Sequence, residues 1–302
     1  MTVASSPQSD RTPLHRSVHK KIGKTLLNWK RLDPITLSAA LVLFLVVATA
    51  IFAPLIAGQD PVKLDPLLRL KPASAEHWFG MDAYGRDLFS RVVYGTRIAL
   101  GIGIGAMVAS IAIGLVIGLL CGYIRIFDSI VMRIMDGIMA IPAVLLAITI
   151  VTLLGAGFWT VLLAIIIPEI PRVVRLVRAV VLSARTEFYI EAAIVLGSRT
   201  GRILWKHLVP STIAPLIVQG SYICASAILT EAVLSFLGAG ISPSTPTWGN
   251  IIADGRSFFQ IKPALIFWPG IMLSATILAI NIIGDFMRDV LDPKSNKREA
   301  GK

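Results

Sequence analysis

The sequence predicts an all-α membrane protein of six spanning helices with both termini in the cytoplasm, and three observations carry that prediction. First, 55% of the 302 residues are hydrophobic and 16% charged, with a mean hydropathy of +0.75. Soluble domains carry about 25% charged residues. Second, the apolar residues fall in long windows; residues 98–124 contain no Asp, Glu, Lys or Arg. About 20 mainly apolar residues suffice to cross a bilayer. Third, the basic residues gather between the windows. With both ends inside, 21 of the 29 Lys+Arg fall on the cytoplasmic side and 8 outside, the bias that sets orientation in membranes.

The chain opens with a basic leader, residues 1–33. Its first dozen residues are too polar to bury a core, whereas Val18–Leu32 has the pattern of an amphipathic surface helix. No cleavable signal peptide is expected. The first apolar window, Pro34–Ala57, is too long for a signal core and reads as a retained span. An outside loop, residues 58–97, follows, in which Asp82–Thr96 alternates as an amphipathic helix. The core, residues 98–293, holds the windows Ile98–Ile124, Met135–Leu154, Phe158–Val177, Thr212–Leu237 and Leu265–Met287, and residues 294–302 form a cytoplasmic tail. Pro142 and Pro168 are expected to kink or interrupt their helices. Gly101, Gly103, Gly105, Gly114 and Gly118 suit close helix packing in a bundle centre.

Several function classes are disfavoured. The net charge of +11 follows membrane topology, so nucleic acid is not an expected partner, whereas membrane lipid is. Cys121 and Cys224 lie in separate apolar windows and read as small buried hydrophobes. His15, His19, His77 and His207 have no metal-ligand spacing, and no GxxxxGK[ST] phosphate loop is present. No catalytic residue, metal or cofactor is expected, and the chain is not read as an enzyme. Two carboxylates stand out at membrane depth, Glu231 in the fifth window and Glu169 in the fourth. Such groups face a bundle interior or water. They are candidate pathway or gating residues, with a structural hydrogen bond as the alternative, and Glu169 is also spaced to pair with Arg172.

The segment 183–210 is too polar to span and too regular for a linker. Thr186 is placed to cap a helix running to Leu196, with Gly197 as its stop. Ser198 or Thr200 is placed to cap a second helix ending before Pro210. On that helix Arg199, Arg202 and Lys206 share one face, and Leu204, Trp205 and Leu208 lie mostly opposite. Two readings fit this hairpin. It inserts into a groove on a soluble partner, with Ala192, Ala193 and Gly197 allowing close approach and Glu191 meeting a partner cation, or it lies on anionic lipid through its basic face.

Glu191-Ala192-Ala193, Gly197 and the closing Leu208-Val209-Pro210 resemble the EAA loop of importer permeases of the ATP-binding cassette (ABC) superfamily. His207, where that family usually has Ile, is similar to the dipeptide/oligopeptide/nickel branch, and Val209 replaces a usual Leu. The block Phe79-Gly80-Met81-Asp82, continuing through Gly85-Arg86-Asp87 and Ser90-Arg91 to Tyr94-Gly95 and Arg97, resembles that branch's "C" type subunits. So do Phe236-Leu237-Gly238, Thr247-Trp248-Gly249 and the stretch Gly284 to Pro293. Pro168-Glu169-Ile170-Pro171 departs from the Trp-rich stretch of that branch. The resemblance implies one permease subunit of a bacterial inner-membrane importer. A second permease subunit, two cytoplasmic ATP-binding subunits and an extracytoplasmic solute-binding protein would complete it. It also implies ATPase coupling through Glu191, Ala192, Ala193, Gly197, Arg199, His207 and Pro210, with ATP bound by the partners. Dipeptides or oligopeptides are the expected substrate; nickel or another small solute of the same branch, or an ion-driven secondary transporter, are the alternatives.

Overall fold

The computed structural model describes residues 33–291. The expected surface helix 18–32, the tail from 294, and Asp292 and Pro293 lie outside the described residues. Within them the chain is helical, joined by turns, with a single isolated antiparallel bridge between Met81 and Asp87. The helices are α1 (Pro34–Ile51), α2 (Ala53–Ile56), α3 (Leu88–Tyr123), α4 (Arg125–Ala140), α5 (Ala143–Leu154), α6 (Phe158–Ala184), α7 (Phe188–Val195), α8 (Thr200–Ile203), α9 (Val209–Phe236), α10 (Trp248–Gly255) and α11 (Ala264–Leu291).

Three of these differ from the sequence windows. The expected helix Asp82–Thr96 does not exist as a separate unit. Residues 82–87 form a turn, the Asp87 carboxylate accepts from the Ser90 amide at 2.8 Å, and α3 then runs unbroken for 36 residues. An N-terminal carboxylate satisfies free amides and meets the positive helix end. The third window is not one straight span: α4 and α5 meet at 88° across Ile141–Pro142. Proline removes the amide that a continuous helix would need there. Pro168 and Pro171, by contrast, stay inside a continuous α6.

α1, α3, α9 (with α8 ahead of it) and α11 are long and apolar enough to cross a membrane, and the bent α4–α5 pair could add one more. α6 has the length, but Glu169, Arg172 and Arg175 in its first two-thirds break its apolarity.

The core is built on a seam between α3 and α6. A methyl on Gly114 would lie 2.5 Å from Val173 Cβ, one on Gly118 2.7 Å from Val177 Cβ, and one on Gly122 2.5 Å from Val181 Cγ1. Glycine therefore lets the two backbones approach, the source of helix association where lipid supplies no hydrophobic drive. α9 closes the seam through Ile223, Ala227 and Leu234, all fully buried. A second cluster joins α1, α3, α10 and α11 around Trp248. Trp248 Nε1 donates to the Val92 carbonyl at 3.0 Å. Together these contacts leave a hairpin (α7–α8) at one end of the bundle and a charged clamp at the other.

Candidate functional site

The hairpin is built as sequence reasoning placed it, with altered joints. α7 begins after Glu187, and Thr186 does not cap it: its hydroxyl donates to the Ser183 carbonyl at 2.8 Å. Gly197 stops α7 at φ +75°. The Ser198 amide reaches back to Ala193 O at 3.0 Å and the Gly197 amide to Ile194 O at 2.9 Å, a left-handed glycine stop. A methyl on Gly197 would meet nothing within 4 Å, so the backbone and not crowding selects glycine here. Neither Ser198 nor Thr200 caps the second helix; Arg199 occupies that position without a side-chain bond.

The second helix does not end before Pro210. Residues 204–208 form a π turn, with the Val209 amide bonding Leu204 O, and α9 follows directly. The wider turn lets the ladder pass a proline that has no amide to give. It also rotates the side chains that follow. Of the apolar side chains here Trp205 is 65% exposed, whereas Ile203 and Leu208 are buried.

Ile190, Ile203 and Leu208 are the hairpin's anchors, packed into the main core with Val181 and Ala184. Burying each such side chain is worth about 1.5–3 kcal/mol. Arg185 ties the same end to α3, donating to Gly122 O at 3.1 Å and Tyr123 O at 3.2 Å. The outer face is apolar and open: Phe188, Val195 and Leu196 are each more than four-fifths exposed. Glu191, Ala192, Gly197, Arg199, Arg202 and Pro210 are exposed beside them, while Ala193 and His207 are half-buried. The His207 ring lies 6.3 Å from that of Tyr189. Burial first, then the nearby Glu187, pushes the Tyr189 hydroxyl above the ordinary phenol value, so it remains neutral. Sequence reasoning missed Phe188, Val195 and Leu196; their exposure became visible only once Ile190 was seen to take the inward side.

The clamp at the opposite end was not singled out as a site. Asp82 accepts from Arg86 Nε at 2.6 Å and from the amides of Tyr84 and Arg86 at 2.8 and 2.9 Å. Arg86 also donates to Asp254 of α10 at 2.7 Å, across 168 residues. Arg91, fully buried, lies 3.6 Å from Asp82 and 3.8 Å from Asp254. Lys262 donates to Met81 O at 2.8 Å and also to Lys71 O. Its burial pushes the ammonium below its ordinary value, with Asp82 opposing. Asp87 completes the clamp by meeting His77 Nδ1 at 3.0 Å. Gly85, at φ +71°, has Asp65 O where a methyl would stand, 1.8 Å away. The Gly-Arg-Asp spacing of this block is thus a folding device. Asp254 and Lys262 carry no local signal that would pair them with it.

The two carboxylates at depth differ. Glu231 is 1% exposed and accepts from Ser235 at 2.7 Å, beside the close approach of Gly249 to Ala232 O. Glu169 is also buried but bonds Arg172 at 2.8 Å, whose side chain is 38% exposed. Among the described residues no group of His, Cys, Asp and Glu could hold a metal.

A family model described as a binding-protein-dependent transport system inner membrane component matches residues 114–297. Relatives match over most of their length. A probable peptide ABC transporter permease protein of Sinorhizobium fredii is 48% identical, over 91% of this chain and 94% of its own. A dipeptide transport system permease protein of Alkalihalophilus pseudofirmus is 43% identical over 81% of each. A glutathione transport system permease protein of Pectobacterium atrosepticum is 38% identical, over 88% of this chain and 90% of its own.

Proposed function

The chain belongs to the family of binding-protein-dependent transport system inner membrane components, a multi-pass permease subunit and not an enzyme, and from that premise we propose that it forms half the pathway of an ATP-driven peptide importer. Dipeptides or oligopeptides are the favoured substrate, supported by the peptide and dipeptide permeases among its relatives. A second permease subunit completes the pathway, two cytoplasmic ATP-binding subunits supply the energy, and an extracytoplasmic solute-binding protein delivers the peptide. This chain binds no ATP and no cofactor of its own.

The proposed topology has six crossings: α1, α3, the bent α4–α5 pair, α6, α9 and α11, with both termini and the α7–α8 hairpin in the cytoplasm. The Lys/Arg bias of 21 against 8 supports that orientation. α6 can cross despite its charges because Glu169, Arg172 and Arg175 are each ion-paired.

The open face of the hairpin is the observation that carries the coupling assignment. An exposed apolar knob of Phe188, Val195 and Leu196, standing on anchors that are fully buried, fits the groove of a soluble partner. Glu191, Ala192, Ala193, Gly197, Arg199, His207 and Pro210 surround it and form the ATPase-contacting set. Glu231, enclosed and bonded to Ser235 one turn further along the same helix, is a structural residue of α9; Glu169, paired with a partly open arginine, is the better pathway residue.

Co-purification tests this reading. A tagged chain expressed with its neighbouring genes should bring down an ATPase pair whose hydrolysis rises with peptide-loaded binding protein. A chain that purifies without any ATPase, yet moves solute on an ion gradient, would overturn it.

A further inference from the structure

The charges that interrupt α6 follow a regular pattern. Arg172, Arg175 and Arg178 recur every third residue, climbing one side of the helix over about 9 Å. Each meets a carboxylate: Glu169 at 2.8 Å, Asp136 of α4 at 2.5 Å, and Asp128 of α4 at 2.5 and 2.7 Å. The arginine side chains remain 38%, 43% and 32% exposed, and Asp136 60%. Charged groups on a spanning helix face water or protein, not hydrocarbon. At the deepest rung, Glu169 Oε2 is buried near Ser226 of α9 and makes no close hydrogen bond. Ser110 Oγ on α3, which the Gly114–Val173 and Gly118–Val177 register places level with Glu169, is buried without a partner.

We infer that the two deeper rungs are a binding track for the charged ends of a short peptide, with Arg172 and Arg175 receiving its carboxylate and Glu169 and Asp136 its ammonium. The inference rests on the importer reading above. Peptides of varied side chains share their backbone amides and their charged termini, and of these only the termini carry the charge that the rungs match. Each rung is a neutral pair, and a zwitterion entering it exchanges one ion pair for two without adding net charge. Such exchange keeps each stay short, as passage requires. The Arg178–Asp128 pair is two-pronged, with Asp128 only 19% exposed; it fastens α4 to α6 and lies outside the track.

The test uses the complete importer in vesicles with its binding protein, comparing alanyl-alanine with its C-terminal amide. Because one binding protein serves every variant, its own preference cancels in the ratio of the two uptake rates. R172Q and R175Q should raise the KM for alanyl-alanine about tenfold, roughly the loss of one charged contact, and leave the amide little changed. R172K should restore most of the preference, and all variants should co-purify with the ATPase subunits. An unchanged ratio, or equal loss for both substrates, overturns the track. As a second measurement, R172C and R175C should react with a charged, membrane-impermeant thiol reagent, more slowly when alanyl-alanine is present. Cysteines that never react place the stripe against protein and also overturn it. A wild-type importer that takes up neither substrate would instead defeat the peptide reading itself.

Discussion

Gly114 of α3 faces Val173 of α6 so closely that one added methyl would stand 2.5 Å from the valine Cβ. Gly118 and Gly122 repeat the relationship against Val177 and Val181. Overpacking a filled interface costs about 1–3 kcal/mol per site. Gly118→Leu should therefore lower the temperature at which the detergent-solubilised complex aggregates by several degrees. Gly101→Ala, whose methyl would sit an ordinary 3.5 Å from Phe158, should leave it unchanged. Equal behaviour of the two variants would remove the seam from the fold's foundations.

Two glycines with nearly the same backbone angle should respond differently to the same substitution. Gly85 and Gly197 have φ of +71° and +75°. A methyl at Gly85 collides with Asp65 O, whereas one at Gly197 meets nothing. Gly197→Ala should cost only the backbone term, about 1 kcal/mol, and the complex should still assemble. Gly85→Ala should expose the loop 58–87 to protease added outside. Limited proteolysis of both variants decides the point.

Lys262 closes the clamp by donating to Met81 O at 2.8 Å, with Lys71 O as its other acceptor. Lys262→Met keeps the length of the side chain but leaves those carbonyls without their donor, a loss of about 1–3 kcal/mol. Hydrogen exchange should accelerate over residues 71–81 while the hairpin end is unaffected. Protection unchanged in that stretch would show that the clamp holds without the lysine.

The hairpin should separate coupling from folding. Glu191→Lys, Leu196→Asp or Gly197→Trp each alters an exposed position, so insertion and permease pairing should persist. Uptake should be abolished, with loss of ATPase subunits on purification. Ile190→Ala, by contrast, hollows a fully buried anchor and should destabilise the hairpin by about 2–5 kcal/mol. Normal transport by the Glu191→Lys complex would refute docking at this face.

Much of this architecture is legible in the sequence because membrane helices advertise themselves by uncharged length. The window 98–124 lies almost entirely within α3, and Gly197 falls at the stop of α7, where its φ is positive. Joints were harder to read. A π turn leaves no mark in periodicity, so the sequence pattern ends the second hairpin helix before Pro210, where the ladder in fact runs on into α9. The wheel for Asp82–Thr96 counted residues as helical that the Asp87 cap excludes. Long-range partners were invisible for a different reason. Arg86 reads as one cation among several until α10 brings Asp254 to it. The α6 arginines likewise read as topology signals until α4 supplied Asp128 and Asp136.

The π turn at Leu204–Leu208 has a mechanical consequence. By carrying the helical ladder past Pro210 without a break, it makes Thr200–Phe236 one continuous helical run of 37 residues, with a contour of about 55 Å. The same helical run therefore carries Gly201 of the hairpin at one end and Glu231 and Ser235 at the other, where it abuts α10 and, through it, the Arg86–Asp254 clamp.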